Sequence, residues 1–473
     1  MLYYSSFRNV AGAAVLLAAS ALAALGNLPS EESLKEGGKA AHVMLTHLCD
    51  DFGGRLTGSK TNQGALERLV GELKKLGLNP QTTTFSMPGW ERDDDSVEML
   101  APVKRRLRVA ALSYTQAQRS FEASVVNIGA GGAGAYPEGK NLRGFVGLLA
   151  ANSSVPLQEI LREASARGLK GVLFVNREDG GQLLARTGSF VGEKLPMPVF
   201  SVTQEEGLWI GRLLARDVPV RVKLETKSRS TEITTANVSV TFPGKTSQRV
   251  VVGAHFDSWD LGQGAMDNGI GTAQLFALAH VLRGQELQRT VELIWFNGEE
   301  QGLWGSRHEA KRIGDAPVVA MINLDMMGVP QAVNALGDAS LVPALERWNK
   351  SRGDARLPNG VLNFNWFGSD HTHYQIAGVR TVTFSAPIER TSVRYYHDFA
   401  DTIDKVSEKL IVDSTAVIGS LVFALAEDAE LEAFRRDRAE TEKLFTEFKL
   451  EARMKGAGLW PLPDFISKPS STP

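Results

Sequence analysis

Two periods of hydrophobic patterning divide this chain. Compact apolar runs at Arg249–Ala254, Thr290–Phe296, Val318–Leu324 and Thr381–Phe384 have too little alternation for a surface strand, and they predict buried strands. Between and around them, apolar residues recur every three or four positions. That spacing predicts helices over His42–Asp51, Asn62–Leu76, Ile270–Leu282 and Leu410–Leu425. Shorter strand-like runs lie at Gln81–Phe85, Val103–Ala111 and from Ile233 to Val240. Strands alternating with helices predict an α/β domain whose central sheet is flanked by helices.

From about Glu122 to Lys227 the alternation is interrupted. A strand-like run follows Asn141, Leu157–Ala166 reads as a helix, and a second strand starts at Lys170. This stretch is expected to be a smaller β-rich domain inserted into the first. Its Gly129-Ala-Gly-Gly-Ala-Gly134 lacks the Lys-Ser/Thr of a phosphate-binding loop and reads as a plain loop. Asp428–Lys455 is a charge-rich helical tail, and Trp460–Pro473 is proline-rich and irregular. The expected division is 1–26 signal segment, 30–116 first part of the main domain, 117–231 insert, 232–430 second part, and 431–473 tail.

At 473 residues, 43% hydrophobic and 22% charged, the chain can bury a large core. A net charge of −2 with no basic run argues against nucleic acid as a partner. Arg8, the Ala/Val/Leu run from Val10 to Leu25, and Ala21-Leu-Ala23 fit a cleaved secretory signal, with an uncleaved anchor as the rival. No later stretch reads as long and apolar enough to span a bilayer, so no stable membrane association is expected after cleavage. The expected location is secreted or periplasmic. Cys49 is the only cysteine, so the exported chain must fold without an internal disulfide.

The chemistry gathers where the strands end. His255-Phe-Asp257-Ser-Trp-Asp-Leu-Gly-Gln-Gly-Ala-Met-Asp267-Asn-Gly269 joins the first run to the Ile270–Leu282 helix. Glu299-Glu300 follow the second run, Asp325 ends the third, and His397 lies in the loop after the fourth. His255 and Asp257 are two apart and share a strand face, which suits a ligand imidazole whose ring that carboxylate orients, although His-x-Asp alone is more often a surface hydrogen bond than a metal site. Four strands each sending an acid or imidazole to one sheet edge make a ligand site the better reading. Imidazole and carboxylate without thiolate suit zinc.

These motifs resemble the zinc peptidases of family M28, and in particular the plasma glutamate carboxypeptidase (carboxypeptidase Q) branch. The likeness rests on Ser258-Trp-Asp-Leu-Gly-Gln-Gly-Ala-Met-Asp267, on Pro88-Gly-Trp-Glu-Arg92 followed by Met99-Leu-Ala-Pro102, and on Phe52-Gly-Gly-Arg-Leu-Thr-Gly-Ser59. It runs from about Asp50 to about Asp428. It implies a zinc-exopeptidase (phosphorylase/hydrolase-like) mixed sheet and an insert of the protease-associated (PA) type. It implies two Zn2+ per chain, one held by His255, Asp267 and Asp325, the other by Asp267, Glu300 and His397, with Asp267 shared. Glu299 becomes the general base for a hydroxide shared by the metals. Tyr396 is an oxyanion donor or a packing residue, and Asp257 and Asp401 support the ligands. Ser369, Asp370 and His371 line the substrate pocket or cap the Thr372–Ile376 helix. The implied activity is hydrolysis of unblocked dipeptides or short peptides, with amino-, di- and carboxypeptidase preference open. The insert is expected to wall the site and limit substrate length, or to contribute to a homodimer interface. The rival classes are a one-zinc glutaminyl-cyclase-like acyltransferase and a non-catalytic receptor on the same fold. Zinc stoichiometry and retention of the ligand set discriminate them.

Overall fold

A computed structural model describes residues 30–464. The expected signal segment, and the end of the proline-rich tail, lie outside them. The central sheet is eight-stranded and mixed. Its parallel heart is β1 (Gly244–His255), β2 (Leu287–Phe296), β3 (Val318–Asn323) and β4 (Thr381–Ser385). β1 pairs in parallel with β2 on one side and β3 on the other, and β3 pairs in parallel with β4. The chain therefore runs first to one side of β1 and then to the other. This makes a crevice at the carboxyl ends of these strands. Gln81–Glu91 and Arg229–Phe242 extend the sheet antiparallel beyond β2, and Ala332–Asn334 and Val361–Leu362 extend it beyond β4.

The apolar runs follow from burial on both faces. Val250, Val252 and Ala254 face one core, while Val251 packs with Ile294, Phe296 and Met321 on the other. The Ile270–Leu282 helix is apolar nearly all round because it lies between the sheet and the helices Glu31–His47 and Glu408–Glu427. Contrary to the sequence-based expectation, Glu408–Glu427 is long and apolar enough to cross a membrane. Here Ile411, Ile418, Leu421 and Val422 are fully buried against the main core, so its length and apolarity serve packing.

The second sheet is also eight-stranded and begins earlier than residue 117. Ser96–Ala101 pairs antiparallel with Arg221–Thr226, and Val109–Ala111 pairs with Val199–Val202. The run expected at Val103–Ala111 is thus two short strands of this sheet rather than part of the main one. Its middle strands, Gln118–Asn127, Val146–Leu149, Gly171–Val175 and Val199–Val202, are parallel. The chain leaves the central sheet after Glu91 and returns at Arg229. These two residues are paired across the strands and joined by a 2.7 Å ion pair.

Nor is residue 430 a structural break. Between 428 and 437 the chain is irregular, and the helices Arg438–Glu447 and Glu451–Gly456 bury Phe445 and Met454 against Phe367, Tyr374 and the central sheet.

Candidate metal centre

His255 ends β1, and its carbonyl accepts a 3.2 Å bond from Thr272 in the following helix. Its ring Nδ1 bonds the carbonyl of Asp257 at 3.0 Å, which fixes the tautomer and leaves Nε2 free to ligate. Nε2 lies 3.1 Å from Asp267 Oδ1 and 3.5 Å from Asp325 Oδ1. His397 repeats the arrangement. Its Nδ1 bonds the carbonyl of Ala185 at 2.9 Å, and its Nε2 lies 2.9 Å from Asp267 Oδ2 and 3.2 Å from Glu300 Oε2. Asp267 therefore faces one imidazole with each oxygen. Two triplets result, His255–Asp267–Asp325 and Asp267–Glu300–His397, and the ligand atoms of each lie within 4.8 Å of one another.

The bend before Asp267 is drawn tight by Arg55, which sequence reasoning did not single out. Its fully buried guanidinium donates to the carbonyls of Phe256 at 3.0 Å, Gln263 at 2.7 Å and Gly264 at 2.9 Å. Gly264 has φ +60, and a Cβ there would sit 2.2 Å from that of Ser258. Only glycine fits so close a crossing. Asp401 holds the same turn from the other side, accepting from the backbone N–H of Met266 at 2.7 Å and of Asp267 at 3.1 Å.

Asp257 does something different from what its spacing suggested. Its carboxylate is 3.8 Å from His255 Nδ1, too far to orient the ring. It accepts instead from the backbone N–H groups of Glu299 at 3.1 Å and Glu300 at 3.2 Å. It thus positions the Glu-Glu pair after β2. Glu300 points inward and is buried, while Glu299 keeps partial exposure. Ser369 donates to Asp325 at 2.6 Å and accepts from Asn323 at 2.8 Å. The Ser-Asp-His segment is therefore not a pocket wall, since Asp370 and His371 are fully buried, and His371 bonds the Trp366 carbonyl at 2.9 Å. It does not cap the helix either, because Asp370 stands at the cap position without a side-chain bond. The ring of Tyr396 stacks on that of His397 at 3.5 Å.

The insert reaches into this centre, a role no residue-type signal announces. Ala185 N–H donates to the His397 carbonyl at 3.0 Å, completing a two-way pair with the ring bond. Leu183 N–H donates to Asp398 at 2.6 Å, and Thr187 Oγ1 donates to the Glu300 carbonyl at 2.7 Å. His397 has φ +58, a conformation a non-glycine residue keeps only when its surroundings hold it. In return, Trp259 of the Asp257–Asp267 segment is buried in the insert's core and lies edge-on to His397, with centroids 5.8 Å apart.

The charges ask for cations. Burial pushes Glu300 up to about 7 and Glu299 well above the usual carboxylate range, with neighbouring carboxylates adding to both. Glu300 Oε1 is buried without a hydrogen-bond partner. Burial opposes charge on both imidazoles and on Asp267. Mutual pairing outweighs it, raising His397 to about 10, raising His255 and lowering Asp267. Arg55, fully buried nearby, already spends its donors on carbonyls. Carboxylate and imidazole donors, an orphaned buried oxygen and this surplus of buried acid fit divalent zinc.

The family model of peptidase family M28 matches residues 237–422. Over 439 residues the chain is 24% identical to Aminopeptidase YwaD of Bacillus subtilis (strain 168), spanning 89% of this chain and 92% of that protein. It is 28% identical over 283 residues to Carboxypeptidase Q of Bos taurus, which covers 56% of this chain and 60% of that protein. Among solved structures, BSAP, a zinc aminopeptidase from Bacillus subtilis, matches with a TM-score of 0.68 and 22% identity over 84% of this chain and 97% of that one. That structural likeness shows the fold.

Proposed function

We propose that this enzyme, a zinc peptidase of family M28 across residues 237–422, is an exported di-zinc exopeptidase hydrolysing unblocked dipeptides or short peptides. The observation that carries the reading is the sharing of Asp267, whose two oxygens face His255 and His397 at 3.1 and 2.9 Å. A carboxylate so placed serves two cations at once. Bound zinc would supply Lewis acidity toward the scissile carbonyl and toward the attacking water. The chain's own residues do the rest. Glu299, held by its backbone on Asp257, takes a proton from the water and returns it to the leaving amine. In the zinc-free chain burial and the neighbouring acids raise its pKa above the usual carboxylate range. Tyr396 is kept protonated by burial and the nearby acids Asp267 and Glu300, so its hydroxyl can donate to an oxyanion.

A one-zinc cyclase needs a single triplet, and the second triplet favours hydrolysis over that rival. The test is metal analysis of the mature chain together with a dipeptide-library digest and a chelator control. Two zincs and chelator-sensitive dipeptide cleavage are expected. One zinc with glutaminyl cyclisation, or no turnover of any dipeptide, would overturn the reading.

A further inference from the structure

We propose that the groove between the insert and the C-terminal helices binds the free terminal carboxylate of the substrate, with Arg186 and Arg453 as its recognition pair. The inference rests on the peptidase reading and deepens it by assigning the residues that take the unblocked C-terminus of that substrate.

The groove encloses about 330 Å³, and its lining includes Gln158, Arg186, Thr187, Phe190, Phe367 and Arg453, with no aspartate or glutamate. Among the described residues neither guanidinium has a carboxylate partner. Each is instead laid over an aromatic ring, Arg186 over Phe174 at 4.3 Å and Arg453 over Phe367 at 5.0 Å. A guanidinium stacked by its face keeps its N–H fork free at the edge, the geometry that takes a carboxylate bidentately. Two like charges sharing one groove without a counterion repel, and an incoming anion relieves both.

The groove shares its lining segments with the surroundings of the centre. Thr187 lines it and bonds the Glu300 carbonyl at 2.7 Å. Phe367 lines it two positions before Ser369, which bonds ligand Asp325 at 2.6 Å. The two regions thus have opposite character, carboxylates at the centre and guanidinium groups in the groove. An unblocked short peptide carries the matching pair, an ammonium at one end and a carboxylate at the other. The volume is at the small end of ligand pockets, which run from about 300 to 1,000 Å³.

The test compares Ala-Leu, its C-terminal amide and the amide of Ala-Glu on the full zinc-loaded chain and on the R186M and R453M variants. In the parent, amidation of Ala-Leu should raise KM by about 10-fold or more, as expected for a lost charge-assisted bond. In R186M the KM of the free acid should rise to that of the amide, with the amide and the zinc content unchanged. Arg453 is exposed, so R453M carries the same comparison if R186M does not fold. Equal KM for acid and amide in the parent overturns the proposal, as does a variant that loses both equally. A low KM for the amide of Ala-Glu overturns the terminal assignment in favour of an acidic side chain. If the parent turns over none of these peptides, the peptidase reading fails. Calorimetric binding of the acid and the amide of Ala-Leu then decides the groove by itself, with preference for the acid expected and equal affinity overturning it.

Discussion

Thr187→Val removes one hydroxyl from the insert and nothing else of consequence, since valine is nearly the same shape. The lost bond is the 2.7 Å contact to the Glu300 carbonyl. A carbonyl left without its donor costs about 1–3 kcal/mol. The carbonyl belongs to a residue whose side chain closes only the Asp267–Glu300–His397 triplet, so the effect should fall on that set alone. Supports of this kind change metal affinity by about 10–100-fold, which is consistent with the bond's energetic range. The assay is zinc retained per chain after dialysis against a graded series of chelator buffers. The parent should release its zincs late, and T187V should give up one zinc early and hold the other at parental strength. Two zincs released as in the parent would refute the coupling. Simultaneous early loss of both would show general destabilisation instead.

Other changes probe the remaining supports. Glu299→Gln should cut turnover by at least about 10²-fold while leaving zinc bound, because the base is not a ligand; activity within a few-fold of the parent removes Glu299 from the mechanism. Asp257→Asn offers one acceptor oxygen where two backbone N–H groups now bond, and should lower kcat about 10-fold; parental kcat would show that the Glu-Glu backbone needs no such anchor. Burial works against charge on His397, but Glu300 and Asp267 prevail and hold it at about 10, above its ordinary value of 6.5. In zinc-free protein this pairing stabilises the fold fully below pH 6.5 and is lost as pH rises through about 10. Zinc needs the neutral ring, so its binding near pH 7.5 should release protons, read as a calorimetric enthalpy that varies with the buffer's ionisation heat; a buffer-independent enthalpy would contradict this.

What the sequence made legible follows from what side chains can signal. His255, Asp267, Glu299, Glu300, Asp325 and His397 stand where apolar runs stop, and the burial of β1 to β4 on both faces produces those runs. Asp257 was placed near the right partners but assigned the wrong bond, because the strand ends at His255 and the ring takes the nearer carbonyl. Ala185 and Leu183 act through main-chain groups, which any residue possesses, so no residue type marks them. Arg55 looks like a loop arginine until the three carbonyls it gathers are seen in space. The insert's boundary slipped because Ser96–Ala101 has a strand pattern that either sheet could accept, and only its partner Arg221–Thr226 decides. The same contacts change what removing the insert would test. Excision would take away the partner of His397 as well as any wall, so substrate length is better probed by point changes in the groove.

The left-handed backbone of His397, clasped by Ala185, also bears on how the molecule matures. The clasp cannot exist until two sheets, each assembled from distant stretches of chain, have both closed and met. The Asp267–Glu300–His397 set is therefore complete only when both sheets are in place. A chain with one half misassembled would lack it. Cation occupancy of that set would thus report the correct assembly of both halves.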